Sequence, residues 1–148
     1  MIIVTGAAGF IGSALLGHLQ QLGYGELVAV DDFSHPEKAQ NLQGKTLLHR
    51  LDRQAFLTWL PQHAAKVQFI FHIGARTKTN EFDEAVLQRL NVDYSKFIWQ
   101  VCVDHSIPLI YASLVARQER EYGLLTPLVH WCSKRSGFRQ WLIFCFRQ

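Results

Sequence analysis

Short, mainly apolar runs alternate along this chain with stretches in which apolar residues recur every three or four positions. Ile2-Ile3-Val4, Leu27-Val28-Ala29-Val30, Val67 to His72 and Pro108 to Ala112 are the runs. A strand that is apolar throughout is one covered on both faces, so these predict buried strands. Between them Ile11, Ala14, Leu15, Leu16, Leu19 and Leu22 fall at helical spacing, and Gly23 closes the segment. Gln54 to His63, with Pro61 near its end, and Glu84 to Asp104 also read as helical. Thr46-Leu47-Leu48-His49 predicts a short strand third in order. The run Trp141 to Phe146 belongs to no obvious element.

Strands alternating with helices predict a parallel sheet covered on both faces. The expected fold is therefore α/β, a Rossmann-like, doubly wound parallel sheet that is incomplete at about five strands.

Thr5-Gly6-Ala7-Ala8-Gly9-Phe10-Ile11-Gly12-Ser13 lies between the first strand and the first helix. There a side chain would obstruct the tight turn, the approach of a diphosphate, or the packing of helix on sheet. The helix that follows directs free backbone N–H groups and its positive dipole end at such an anion. Three glycines alone are a weak signal; a strand before them, a helix after them and acids at Asp31 and Asp32 closing the next strand make it a dinucleotide fingerprint. Asp31 is placed to accept a hydrogen bond from a ribose 2′-OH, which favours NAD. Lys38 and Arg53 point the other way, toward a 2′-phosphate and NADP.

Composition narrows the picture further. The chain has 148 residues, of which 49% are hydrophobic and 18% charged, ordinary values for one folded domain. No apolar stretch is long enough to span a bilayer, and the first strand-like run begins at residue 2 without a leader, so a soluble, cytoplasmic protein is expected. Cys102, Cys132 and Cys145 are widely spaced without a C-x-x-C pair and read as reduced thiols, neither a disulfide frame nor a metal site. The net charge of +3 is uneven: residues 1–113 hold nine Lys and Arg against ten acids, and residues 114–148 hold six against two. No zinc, helix-turn-helix or RNP pattern accompanies the basic tail, which disfavours nucleic acid as a partner.

At this point the residues resemble a family. The glycine turn, Phe71-His72-Ile73-Gly74-Ala75-Arg76-Thr77, Glu81-Phe82-Asp83, Asn91-Val92-Asp93-Tyr94-Ser95-Lys96 and Ile107 to Ser113 are together similar to the ADP-L-glycero-D-manno-heptose 6-epimerases, extended short-chain dehydrogenase/reductases of lipopolysaccharide core precursor synthesis. The resemblance covers residues 1–113, a nucleotide-binding domain. It implies NADP, with Gly6, Gly9, Phe10, Ile11 and Gly12 at the diphosphate, Asp31, Asp32, Lys38 and Arg53 at the adenosine end, and Ile73, Gly74, Ala75, Arg76, Thr77 and Asn91 along the cofactor. It also implies a nucleotide-activated heptose as substrate, with hydride taken from and returned to one sugar carbon. In the family a Tyr-x-x-x-Lys pair handles the hydroxyl proton, the ammonium lowering the phenol pKa. His72, on an apolar strand, reads by itself as a hydrogen-bonded core histidine.

Beyond Ser113 the likeness stops. Leu114 takes the place of the family's second serine, and no tyrosine in the chain has a lysine four residues later. If Lys134 stands for the family lysine, His130 occupies the tyrosine position. The expectation is a truncated epimerase without its substrate domain, its reading frame slipped near residue 113 and residues 114–148 a divergent tail. Such a chain binds NADP with little or no turnover. The alternative is a non-catalytic dinucleotide- or partner-binding remnant with a basic aromatic tail. An unpaired sheet edge would invite oligomers or aggregation.

Overall fold

The computed structural model describes residues 1–34, 36–74, 88–114 and 141–146. Its strands are β1 (Ile2–Thr5), β2 (Leu27–Asp31), β3 (His49–Asp52), β4 (Phe69–His72), β5 (Leu109–Leu114) and β6 (Trp141–Phe146). The helices are α1 (Phe10–Gln21), the single turn α2 (Pro36–Ala39), α3 (Arg53–His63) and α4 (Tyr94–Asp104), the last entered through a π-helical turn at Gln88–Asp93.

Hydrogen bonds order the sheet β3-β2-β1-β4-β5-β6, with every pairing parallel. The chain starts in the middle, winds outward through β2 and β3, then crosses back to β4 and winds the other way. The Rossmann-like α/β expectation therefore holds. Beside the five strands read from sequence stands a sixth, because Trp141–Phe146 pairs with β5 along its whole length, Leu109 opposite Trp141 through Leu114 opposite Phe146.

The central strands β1 and β2 bury both faces, as their unbroken apolar runs require. Ile2, Val4, Leu27 and Ala29 pack toward Leu16 and Leu19 of α1. Ile3, Val28, Val30 and Ile70 pack toward Phe56 and Leu60 of α3 and Ile98, Trp99 and Cys102 of α4. Alternate residues of one strand thus feed two cores.

The third strand lies three residues later than its apolar signal. Thr46 to Leu48 lead into it, Leu48 donating its N–H to the Leu27 carbonyl, and Leu48 is itself 45% exposed. His49-Arg50-Leu51-Asp52 forms the ladder with β2 at the sheet edge, where little burial is available to impose an apolar pattern. Pro61 is accommodated near the end of α3, which closes through a 3₁₀ turn at Ala64–Lys66.

Candidate functional site

The order of strands reverses between β1 and β4, and at such a switch point the carboxyl ends of neighbouring strands leave a crevice. β1 ends there at Thr5 and passes into the glycine turn; β4 ends at His72 and passes into Ile73 and Gly74.

Gly6 adopts φ +66°, the left-handed region that disfavours any residue with a Cβ. A Cβ there would lie 2.6 Å from the Gly74 Cα and 2.7 Å from its nitrogen, so β1 and β4 come together backbone on backbone. A Cβ on Gly12 would run into the Gly6 carbonyl oxygen, and one on Gly9 would stand 3.2 Å from the same atom. The turn is closed by Gly9 N–H to Gly6 O at 3.0 Å, and α1 begins with Ser13 N–H to Gly9 O at 2.9 Å.

Gly9 caps α1 without a side chain, leaving the first N–H groups of the helix with no side-chain partner. Phe10 is 88% and Ile11 49% exposed, an unusual cost for two large apolar side chains at the opening of a crevice.

Asp31 and Asp32 flank the turn. One Asp31 carboxylate oxygen accepts the Ala8 N–H at 2.9 Å, and the other accepts the Asp32 N–H at 2.7 Å. Asp31 thus fixes the turn. Lys38 pairs with Asp31 at 3.4 Å and Arg53 with Asp32 at 3.3 Å. Neither cation stands unengaged beside the acids, as the sequence alone allowed. Both pairs are long and partly exposed, which makes them weak and exchangeable.

Three contributors carried no signal in the chemistry read from sequence. Asn41 donates its amide to the Ala8 carbonyl at 2.8 Å and steadies the turn from the far side. Arg50 lies 4.0 Å above the Phe33 ring. Thr5 links the two strands at the crevice: its Oγ1 is 2.6 Å from His72 Nδ1 and accepts the Gly74 N–H at 3.3 Å. The one available clue was the pairing of Thr5 with His72, polar residues closing two apolar strands.

His72 is fully buried, and its Nε2 lies 2.8 Å from the Ser95 hydroxyl of α4. Burial pushes its pKa down to about 4, so the ring is neutral and works as one donor and one acceptor between two hydroxyls. It is the hydrogen-bonded core histidine expected. Asn91 sits in the π-helical turn before α4. Ala75, Arg76, Thr77, His130 and Lys134 lie outside the described residues.

Residues 2–118 match the NAD dependent epimerase/dehydratase family. The chain belongs to that family. Among curated relatives, the ADP-L-glycero-D-manno-heptose-6-epimerase of Alkalilimnicola ehrlichii is 39% identical over 118 residues, and that of Fusobacterium nucleatum 35% over 118. These stretches are 78% of this chain but 37% and 36% of the relatives, so the chain spans little more than a third of their length. The fold superposes on the Helicobacter pylori ADP-L-glycero-D-manno-heptose-6-epimerase with a TM-score of 0.70 at 19% identity, covering 99% of this chain and 54% of that one.

Membership in the family implies a nicotinamide dinucleotide as cofactor. The residues at the crevice fit such a group: the glycines let the turn fold tightly on itself and against Gly74, backbone on backbone, at a helix N-terminus lacking a side-chain cap.

Proposed function

We propose that this chain binds NADP in the turn between β1 and α1, as the nucleotide-binding part of an epimerase of the ADP-L-glycero-D-manno-heptose type, and turns over no sugar by itself. The observation that carries the reading is the backbone cradle of Gly6, Gly9 and Gly12 against Gly74. Phe10, Ile11 and Gly12 offer their N–H groups to the diphosphate, while Ile73 and Gly74 form the opposite wall. The heptose assignment follows the two curated relatives, whose identity to this chain is well above that of the superposed structures.

NADP is favoured over NAD by Lys38 and Arg53. Each is held only by a long, partly exposed ion pair, and a 2′-phosphate offers both a stronger, charge-assisted partner. Asp31 retains acceptor capacity for a ribose hydroxyl even while it holds the turn.

When bound, the nicotinamide supplies the hydride acceptor and donor of an epimerisation. The proton-handling side is what this chain lacks, since no tyrosine is followed by lysine four residues later. Losing one acid/base group lowers turnover by about 10²- to 10⁴-fold. We further take the protein to be cytoplasmic on its unpaired thiol pattern; among the described residues no helix is long and apolar enough to cross a membrane.

Titration of the intrinsic fluorescence with NADP and with NAD tests this. Saturable binding, tighter for NADP, is expected. Gly9→Ala, whose new Cβ would crowd the Gly6 carbonyl at 3.2 Å, weakens both cofactors about tenfold or more, at a cost of about 1 kcal/mol in stability from the poorer N-cap. Lys38→Ala erodes the preference for NADP while sparing NAD. A wild-type chain that binds neither dinucleotide overturns the assignment.

A further inference from the structure

We propose that His72 and Thr5 act as positioning residues for the dinucleotide cradle, clamping β1 to β4 at Gly6 and Gly74 and tying that junction to α4 through Ser95. The proposal rests on reading the glycine turn as a diphosphate site. None of the three side chains reaches the crevice surface: Thr5 is 2%, His72 1% and Ser95 5% exposed. Their effect on a ligand is therefore exerted through the backbone.

The geometry runs in one line. Ser95 Oγ lies 2.8 Å from His72 Nε2, His72 Nδ1 lies 2.6 Å from Thr5 Oγ1, and Thr5 Oγ1 accepts the Gly74 N–H at 3.3 Å. Thr5 and His72 are also register partners across the switch point. In the tautomer protonated on Nε2, the Thr5 hydroxyl donates to Nδ1 while accepting the Gly74 N–H, and Nε2–H donates to Ser95. Every polar atom of the line is then occupied by a neutral imidazole and two hydroxyls.

The residues just past each strand make the contact that matters for the cradle. Gly6 follows Thr5, and Gly74 stands two residues after His72. Their backbones approach so closely that a Cβ on either glycine would fall within about 3 Å of the other, 2.6 Å at Gly6 and 2.8 Å at Gly74. The Gly6 carbonyl lies in turn against Gly9 and Gly12. A slip of β4 along β1 therefore moves the floor of the cradle.

An apolar side chain at position 72 would fill the space, as Ile70 does two residues earlier on the same face. What it would not do is fix the Gly74 amide. Binding sites need their backbone held within about 0.5 Å of the productive geometry, which hydrogen bonds from behind provide and packing alone does not.

The test compares wild type, Thr5→Val, Thr5→Ser and His72→Phe, with Ile98→Val as a core variant that removes buried volume but no hydrogen bond of the line. Dinucleotide affinity is read by titration with NADP, and hydrogen exchange at the Gly74 amide is read without ligand. Thr5→Val and His72→Phe are expected to weaken NADP about tenfold, the effect of one lost hydrogen bond, and to speed Gly74 exchange. Thr5→Ser, which keeps the hydroxyl, restores both readouts, and Ile98→Val changes neither.

Wild-type binding with unchanged affinity in Thr5→Val and His72→Phe overturns the clamp and leaves the site assignment standing. A loss in Ile98→Val equal to theirs overturns it as well, since the effect would then be one of stability. No binding by the wild-type chain removes the site assignment and this proposal together. Equal Gly74 exchange in wild type and Thr5→Val removes the clamp whatever the titration shows.

Discussion

Tyr94 opens α4 with its hydroxyl enclosed and without a hydrogen-bond partner among the described residues. Burial raises its pKa, helped by Asp52 and Asp31 and opposed by Arg53, so the phenol stays protonated throughout the ordinary pH range. A buried hydroxyl without a partner keeps its desolvation cost. Tyr94→Phe is expected to leave stability unchanged or raise it by about 1 kcal/mol. Urea denaturation checks this, and a loss of that size would reveal a bond to the hydroxyl. His72 gives the opposite kind of test. Its pKa falls from 6.5 to about 4 on folding, so between those values the unfolded chain binds a proton that the folded chain refuses. Stability contributed by the neutral ring is complete above pH 6.5 and is lost as pH falls through 4, on the order of 3 kcal/mol in all. The urea midpoint of the wild-type chain should fall across that window, and this part of the slope should vanish in His72→Gln. Parallel slopes would refute the assignment.

Elements decide what a given substitution means, and two glycines close in sequence show it. At Gly6 the turn needs a left-handed residue, and β1 needs Gly74 at backbone distance, so Gly6→Ala combines strain with a clash. A cost of about 3 kcal/mol or more is expected. Gly17 lies in the middle of α1, where a new Cβ would meet only the end of Lys45 at 3.7 Å, an ordinary contact. Gly17→Ala should therefore stabilise by about 0.5–1 kcal/mol. Denaturation of the two variants gives shifts of opposite sign; shifts of the same sign would mean that the turn geometry is not as described. This contrast also marks what was legible in the chain. The glycine turn was readable because its chemistry is local: strand, turn and helix follow within a dozen residues. β1, β2, β4 and β5 were readable because strands inside a parallel sheet carry nearly unbroken apolar runs. β3 was misplaced by three residues because an edge strand faces too little core to impose a pattern, and β6 was unassigned because its register partners in β5 stand 32 positions earlier, Leu109 opposite Trp141. The clamp at Thr5, His72 and Ser95 joins residues 67 and 23 positions apart, the first pair brought together by strand register and the second by the packing of α4 on the sheet.

At the scale of the whole molecule the two ends of the sheet are unlike. β3 ends one side with His49-Arg50-Leu51-Asp52, whose Arg and Asp are the charges that edge strands use to discourage pairing with another chain. β6 ends the other with Trp141-Leu142-Ile143-Phe144-Cys145-Phe146, six residues without charge, proline or glycine, and among the described residues it has a strand on one side only. A segment of that composition at an edge is a template for another strand. The partner of matching chemistry and highest local concentration is a second copy of β6, paired antiparallel about a two-fold axis so that two sheets become one. Self-association is therefore expected, growing with protein concentration in light scattering coupled to size exclusion. Ile143→Lys places a charge in the middle of the edge and brings two like charges near one another in the pair, which antiparallel pairing disfavours. It should shift the protein toward monomer while leaving NADP binding at the opposite, central crevice unchanged. A wild-type chain that stays monomeric as concentration rises would show the edge to be covered, whereas association that survives Ile143→Lys would place the interface elsewhere on the molecule.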